Sequence, residues 1–305
     1  AVGRAIAETA AKLTKPLVCV VMTNENWAST VETIKGAGIP VFDFPEAGSR
    51  VVAAMARYAE IRKHLAEQPA GAPGNKAKAQ KILAGAPGEF ISQTAAFDVL
   101  SGYEIPVART VKLSGERLPR GLKYPVVLKV DSEAVVHKSD VGGVALNLAR
   151  PAALKKVHAE MAAHFPGADF VVQEQCAQGT EIIVGLKREP GVGAVIMFGM
   201  GGIHVEAMKD VSFRMAPLSQ EGAARMIRGI RSLPLLQGFR GIPPADIAAI
   251  QRLLISVSQM AVDLPEIVEM DLNPVIVYPE GQGLKVVDVR IRKQQQAQQI
   301  QAQSV

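Results

Sequence analysis

A chain of 305 residues, 48% hydrophobic and with a net charge of +5, is long enough for two cores but holds no run near the roughly 18 to 20 apolar residues of a membrane helix. Two cysteines, Cys19 and Cys176, without metal-ligand spacing cannot make a disulfide framework, and the N-terminus lacks the charged-then-apolar layout of a signal peptide, so a cytoplasmic location is expected. The basic balance favours anionic partners; with only 5% aromatics and no Lys/Arg run interleaved with them, these are expected to be phosphorylated small molecules, with neither nucleic acid nor membrane as a partner.

In chain order, residues 1–14 read as a helix, "PLVCVVM" as a buried strand, "NWASTVETIKGAG" as a helix, "IPVFDF" as a strand and "PEAGSRVVAAMARYAEIRKHL" as a helix. This alternation predicts a parallel sheet with helices packed on it. Two strands cannot make a complete doubly wound sheet, so residues 1–67 are expected to be the C-terminal part of a domain whose other strands lie upstream or on a companion chain. The stretch 68–88, "QPAGAPGNKAKAQKILAGAPG", has the composition of a linker, with room for one helical turn in its middle.

A second, α+β domain is predicted over 89–292. It opens on "SQTAAFDVLSGYE", a helix capped by Ser92, and the strand "IPVARTVKL". Its further strands read "YPVVLKV", "GGVALNL", "DFVVQEQ", "TEIIVGLKR", "GAVIMFG", "IVEMDLNPVIV" and "LKVVDVRI", with helices around 151–164, 219–232 and 244–263. The glutamine-rich end, 293–305, carries no core face and reads as a tail. Arg225, Arg228 and Arg231 fall at helical spacing and read as a solvated face, as do His64, His158 and His164.

The strand "IVEMDLNPVIV" carries the clearest chemistry. Alternation puts Glu269, Asp271 and Asn273 on one face, a row of oxygen donors. If the last two strands pair as a hairpin, Asn273 and Asp288 fall near each other. Two such oxygens, completed by phosphate and water, suit Mg²⁺ on a nucleotide, although an exposed polar strand face fits the same alternation. Lys129, on an apolar strand, is placed to meet a phosphate, and Gly142 and Gly143 allow close backbone approach or simply open the next strand. Gly199, Gly201 and Gly202, with Glu206, Lys209, Asp210 and Arg214 behind them, form either a second phosphate wall or a plain turn; His204 among them is ambiguous.

Together, "LKVDSEAVVHKSDVGGV", "GTEIIVG", "FGMGGIHVEAMKD", "GFRG" and "EMDLNPVIV...VVDVRI" resemble the ATP-grasp domain of the nucleoside-diphosphate-forming acyl-CoA synthetases. That group includes ADP-forming acetate–CoA ligase and is related to succinyl-CoA synthetase. Residues 1–67 look like the end of the flavodoxin-like CoA-ligase module that precedes the domain in single-chain members. The resemblance implies a reversible ligase reaction: ATP phosphorylates an enzyme histidine, the histidine phosphorylates a carboxylic acid, and CoA displaces phosphate. It further implies that Lys129, Gly142 and Gly143 contact nucleotide phosphates, that Glu174 and its neighbours form an adenine hinge, and that Glu181 contacts the ribose. Asn273 and Asp288 resemble the Mg²⁺ ligands, with Asp271 and Glu206 beside them. His137, in "HKSD", resembles a second phosphohistidine, with Lys138 to offset charge and Asp140 to orient the ring.

The module that binds CoA and bears the principal phosphohistidine is absent from this sequence. The resemblance therefore implies that this chain holds ATP but completes the ligase only with that N-terminal module or a companion subunit, as an oligomer. Two alternatives remain at this point: an ATP-grasp carboxylate–amine ligase, and a non-catalytic nucleotide-binding region of a CoA-dependent protein acyltransferase.

Overall fold

The computed structural model describes residues 1–22, 27–64, 67–113, 115, 118–119, 121–131, 141–202 and 210–294, and the chain divides into two compact units, Ala1–Glu67 and Gln68–Val305. In the first unit, helices α1 (Val2–Ala10), α2 (Ala28–Gly36) and α3 (Pro45–His64) accompany strands β1 (Cys19–Val20) and β2 (Val41–Phe42). The strands pair in parallel, Cys19 opposite Val41. They are far shorter than "PLVCVVM" and "IPVFDF" predict, because a strand persists only where a neighbour takes its backbone groups. Among the described residues of this unit, the buried positions are Gly3, Ile34, Ile39 and Gly48.

The second unit begins earlier than the sequence predicts. Residues 68–88 are not a free linker: α4 (Lys76–Gly85), capped by the Asn75 side chain at Lys78 N–H, buries Ala79 and Leu83 in the main core. Ahead of it, Ala70 N–H donates to Leu218 O and Asn75 N–H to Gly102 O. Gly74 lies so close to the Tyr103 ring that an added Cβ would stand 2.3 Å from it. Composition suggested a spacer; the alternation of small and apolar residues instead lets the segment pack.

After α5 (Gln93–Ser101), β3 (Thr110–Leu113), β4 (Val126–Asp131) and β5 (Val144–Leu148) are followed by α6 (Pro151–His164) and β6 (Asp169–Glu174). These strands form an antiparallel sheet in the order β3-β6-β4-β5. One face packs with α6 around Leu128, Val130, Leu154 and Val172. His158 meets Phe170 edge-on at 5.0 Å and is half-buried, which corrects its reading as a surface residue; His164 is exposed.

The larger sheet contains β7 (Thr180–Glu189), β8 (Gly193–Met200), β9 (Val211–Met215), β10 (Ile267–Val277), β11 (Leu284–Val286) and β12 (Val289–Lys293). Its order is β11-β10-β7-β8-β9, with β12 also on β10. Helices α7 (Gln220–Arg228), α8 (Leu233–Leu236) and α9 (Ile247–Asp263) complete the described elements. Ile182, Val184 and Leu186 of β7 and Met270 and Leu272 of β10 join α9 residues such as Leu254 and Val257 in one core. Asp246 starts α9 by accepting from Ala249 N–H and also accepts from Gly283 N–H. The tail begins later than 293: Lys293 ends β12, and its buried Nζ donates to the carbonyls of Leu83 and Ala86 at the end of α4. No helix among the described residues is long and apolar enough to cross a membrane.

Candidate nucleotide site

The predicted alternation in β10 is present: Met270 and Leu272 are buried, whereas Glu269, Asp271 and Asn273 are exposed. The three polar residues have different partners. Glu269 is held by Arg292, whose Nη2 lies 3.0 Å from Glu269 Oε2. Asp271 stands opposite Arg290 in the ladder. Asn273 N–H donates to Asp288 O at 3.2 Å, so the predicted juxtaposition of Asn273 and Asp288 exists at the backbone level. Asp271 keeps an accessible edge, yet the protein around it desolvates the carboxylate. That desolvation, then the charges of Asp288 and Glu269, raises its pKa from the ordinary value, against the opposing pull of Arg290.

"LKVVDVRI" does not run as one strand. It breaks at Val287 and Asp288, between β11 and β12, and the break is where the small sheet reaches the large one. Val287 O accepts from Lys129 Nζ and from Gln173 Nε2, each at 3.0 Å. Lys129 is only 4% exposed, and its ammonium also lies 3.7 Å from Asp288 Oδ2. A buried ammonium needs such partners, because unpaired burial of a charge is costly. Asp288 Oδ1 accepts from Gln93 Nε2 and from Val289 N–H, both at 2.9 Å. Gln93 N–H in turn donates to Asp131 Oδ1 at 3.0 Å.

Lys129, Asn273, Asp271 and Asp288 are thus brought together around one junction, and three residues that the sequence reading passed over, Gln93, Asp131 and Gln173, complete it. Gln173 had a signal, being an amide inside the apolar run "DFVVQEQ". Gln93 had none, since its partner is 195 positions away.

The other predicted residues lie elsewhere. Glu174 Oε1 accepts from Arg109 Nη1 and Lys123 N–H, so its carboxylate fastens the segments around Arg109 and Lys123 to the end of β6. Next to it, Gln175 exchanges hydrogen bonds with Asn147 through both amide atoms. Gly142 adopts φ 74° in open space, a conformation that favours glycine, and Gly143 O accepts from Val130 N–H where β5 opens. Glu181 lines a cavity of about 800 Å³ with Gly201, Leu235, Phe239, Ile242 and Tyr278. Gly201 N–H donates to Glu181 O at 2.7 Å, and a Cβ on Gly201 would stand 2.9 Å from the Glu181 backbone. Among the described residues that line this cavity are Thr180, Met200 and Val277, but not Lys129, Asn273 or Asp288.

Asp210, read as part of a phosphate wall, has a structural task. Burial raises its pKa, but the Ser232 hydroxyl and the N–H groups of Arg231 and Ser232 outweigh it and hold the carboxyl below its usual range. His137, Lys138, Asp140, His204, Glu206 and Lys209 lie outside the described residues.

The donors at the junction fit a hard divalent cation, because the Asp288 and Asp271 carboxylates and the Asn273 amide present oxygens. Among the described residues no group of three or more His, Cys, Asp or Glu is arranged to hold a metal ion unaided. A nucleotide-bound Mg²⁺ takes much of its coordination from phosphate and water.

Comparison with known proteins gives this geometry a family. Residues 83–292 match the model of an ATP-grasp domain. The ADP-forming acetate–CoA ligase I of Archaeoglobus fulgidus is 38% identical over 292 residues, covering 91% of this chain and 42% of that protein. The 4-hydroxybutyrate–CoA ligase of Nitrosopumilus maritimus is 34% identical, covering 94% of this chain and 43% of that protein. This chain therefore spans less than half the length of these two relatives. The β subunit of ADP-forming acetate–CoA ligase I of Pyrococcus furiosus is 38% identical over 67% of this chain and 94% of its own length. Among solved structures, acetyl-coenzyme A synthetase 1 of Ca. Korarchaeum cryptofilum, in complex with coenzyme A and Ca-AMPCP, is 41% identical with a TM-score of 0.67. It covers 71% of this chain and 100% of its own. The chain belongs to the ATP-grasp family of the ADP-forming acyl-CoA ligases.

Proposed function

We propose that this chain is the nucleotide-binding and phosphoryl-transfer part of a cytoplasmic ADP-forming acyl-CoA ligase, which joins a small carboxylic acid to CoA while converting ATP to ADP and phosphate. The observation that carries the proposal is the junction where Lys129 Nζ, the Asp288 carboxylate and Asn273 meet between the two sheets. Lys129 supplies a fixed positive charge for a nucleotide phosphate, and Asn273 and Asp288 would hold Mg²⁺, with Asp271 and, outside the described residues, Glu206 as further candidate ligands. The bound metal contributes charge neutralisation at the transferring phosphoryl group. Gly142 and Gly143 cover the phosphates, Glu174 and its neighbours take the adenine, and Glu181 takes the ribose.

His137 accepts and passes on the phosphoryl group in this reading. A neutral imidazole nitrogen is available near pH 7 because the ordinary histidine pKa is about 6.5, so no dedicated base is needed. CoA and the acid are bound by a companion module or subunit, in line with the relatives that are longer chains or β subunits. The names of these relatives support an acid–thiol ligase over the amine-ligase and protein-acyltransferase alternatives.

The test is incubation of the chain, with and without a companion module, with γ-labelled ATP and Mg²⁺. Acid-labile protein phosphate that disappears in His137→Ala, with ATP binding retained, is the expected result. Label that persists in His137→Ala removes the histidine from the relay.

A further inference from the structure

We infer that Gln93 is a positioning residue for the metal-binding carboxylate: its amide fixes Asp288 in one orientation and ties it to the start of α5. The inference rests on the proposed metal role of Asp288. Gln93 is 2% exposed, and its Nε2 lies 2.9 Å from Asp288 Oδ1 and 3.5 Å from Val287 O. A carboxylate only accepts, so the amide must present its nitrogen to Asp288. With Val289 N–H on the same oxygen, Oδ1 is committed to two donors, while Oδ2 lies 3.7 Å from Lys129 Nζ. The arrangement leaves Oδ2 as the oxygen turned toward the charged side of the junction.

Two features separate this amide from an ordinary core side chain. Its Oε1 is buried and finds no hydrogen-bond partner among the described residues, a cost that an apolar side chain of the same shape would avoid. Its own N–H is bound to Asp131 Oδ1, two positions beyond Lys129 on β4. One residue at the first turn of α5 therefore links the end of the lysine-bearing strand to the carboxylate on the large sheet. A ligand carboxylate whose partners are fixed in this way loses little freedom when a cation binds.

The experiment is a calorimetric titration of Mg²⁺ into the chain saturated with AMPPCP, for the parent, Gln93→Met, Gln93→Asn, Asp288→Asn and the Gln93→Met/Asp288→Asn double variant. Thermal unfolding of each variant checks its fold, and metal-free AMPPCP affinity is measured alongside. Methionine keeps the shape without the donor, and asparagine draws the amide back by one methylene. The inference expects Mg²⁺ affinity to fall about tenfold in both Gln93 variants, metal-free nucleotide affinity to stay within about twofold, and Gln93→Met to add nothing once Asp288 is Asn. Parent-like Mg²⁺ affinity in both Gln93 variants, with Asp288→Asn impaired, overturns the inference and leaves the metal reading standing. A Gln93→Met loss that persists in the Asp288→Asn background also overturns it. Parent-like affinity in Asp288→Asn removes the metal reading itself, and the inference with it.

Discussion

The two units bury apolar surface very differently. In Gln68–Val305, β7, β8, β10 and α9 interleave Leu186, Ile196, Phe198, Leu254 and Leu272 into one core, and a second cluster under the small sheet gathers Leu128, Leu154 and Val172. In Ala1–Glu67, Val2, Leu13, Met22, Trp27, Phe44, Tyr58 and Ile61 all remain exposed. More than half of the exposed large hydrophobic side chains of the described chain fall in this shorter unit. The difference teaches that the packed apolar core resides in one unit, whereas the other presents surface that suits a further layer of structure.

The sharpest way to break the comparison is to separate the units. Residues 1–67 alone are expected to show no cooperative thermal transition and to bind a dye for exposed apolar surface, whereas residues 68–305 unfold in one cooperative step. A monomeric, cooperatively melting 1–67 fragment would erase the contrast. Next in size is single-site truncation. Leu186→Ala, at a fully buried position of β7, is expected to cost about 3 kcal/mol in denaturant unfolding. Ile61→Ala, on the exposed surface of α3, is expected to stay within about 0.5 kcal/mol.

Smaller effects sharpen the picture inside the second unit. Burial pushes the Asp246 carboxyl up, but the N–H groups of Ala249 and Gly283 outweigh it, and the net displacement is downward. Asp246→Ala is expected to cost about 1 to 2 kcal/mol at neutral pH. Because the folded pKa is the lower one, the pH-dependent part of this stabilisation is complete above the ordinary value of 3.8 and fades as pH falls through the folded value. Unfolding curves of parent and variant should therefore converge in acid; a gap that widens there contradicts the assignment. Ser92→Ala removes the longer 3.4 Å cap on α5 and is expected to cost no more than about 1 kcal/mol in the same assay.

What could be read from the sequence follows from how local each feature is. β10 was legible because its alternation is local, and α6 because Pro151 marks its first turn. The strand β9, "VSFRM", went unread: its central Phe213 and its last residue, Met215, are exposed, so no burial period was written into it. α4 was legible only as a single turn within a linker-like composition, because its Ala79 and Leu83 find partners far along the chain. At the site, Lys129, Asn273 and Asp288 announced themselves by residue type, but the break at Val287 did not. That break depends on Gln173 and Lys129 taking a carbonyl, across 114 and 158 positions. Likewise, Glu269 shares the oxygen row with Asp271 and Asn273 by alternation, and only the fold shows it bound to Arg292.

The central proposal is that the second unit holds the Mg·ATP site without the first, with the junction of its two sheets at the phosphate and metal end. Its most direct test is a calorimetric titration of Mg·ATP into residues 68–305, compared with the whole chain and with Lys129→Met. The account predicts affinity within about twofold of the whole chain, and at least a tenfold loss in Lys129→Met, since a contact to a charged group contributes roughly 1.5 to 3 kcal/mol. Loss of binding on removal of residues 1–67, or indifference to Lys129, would contradict it.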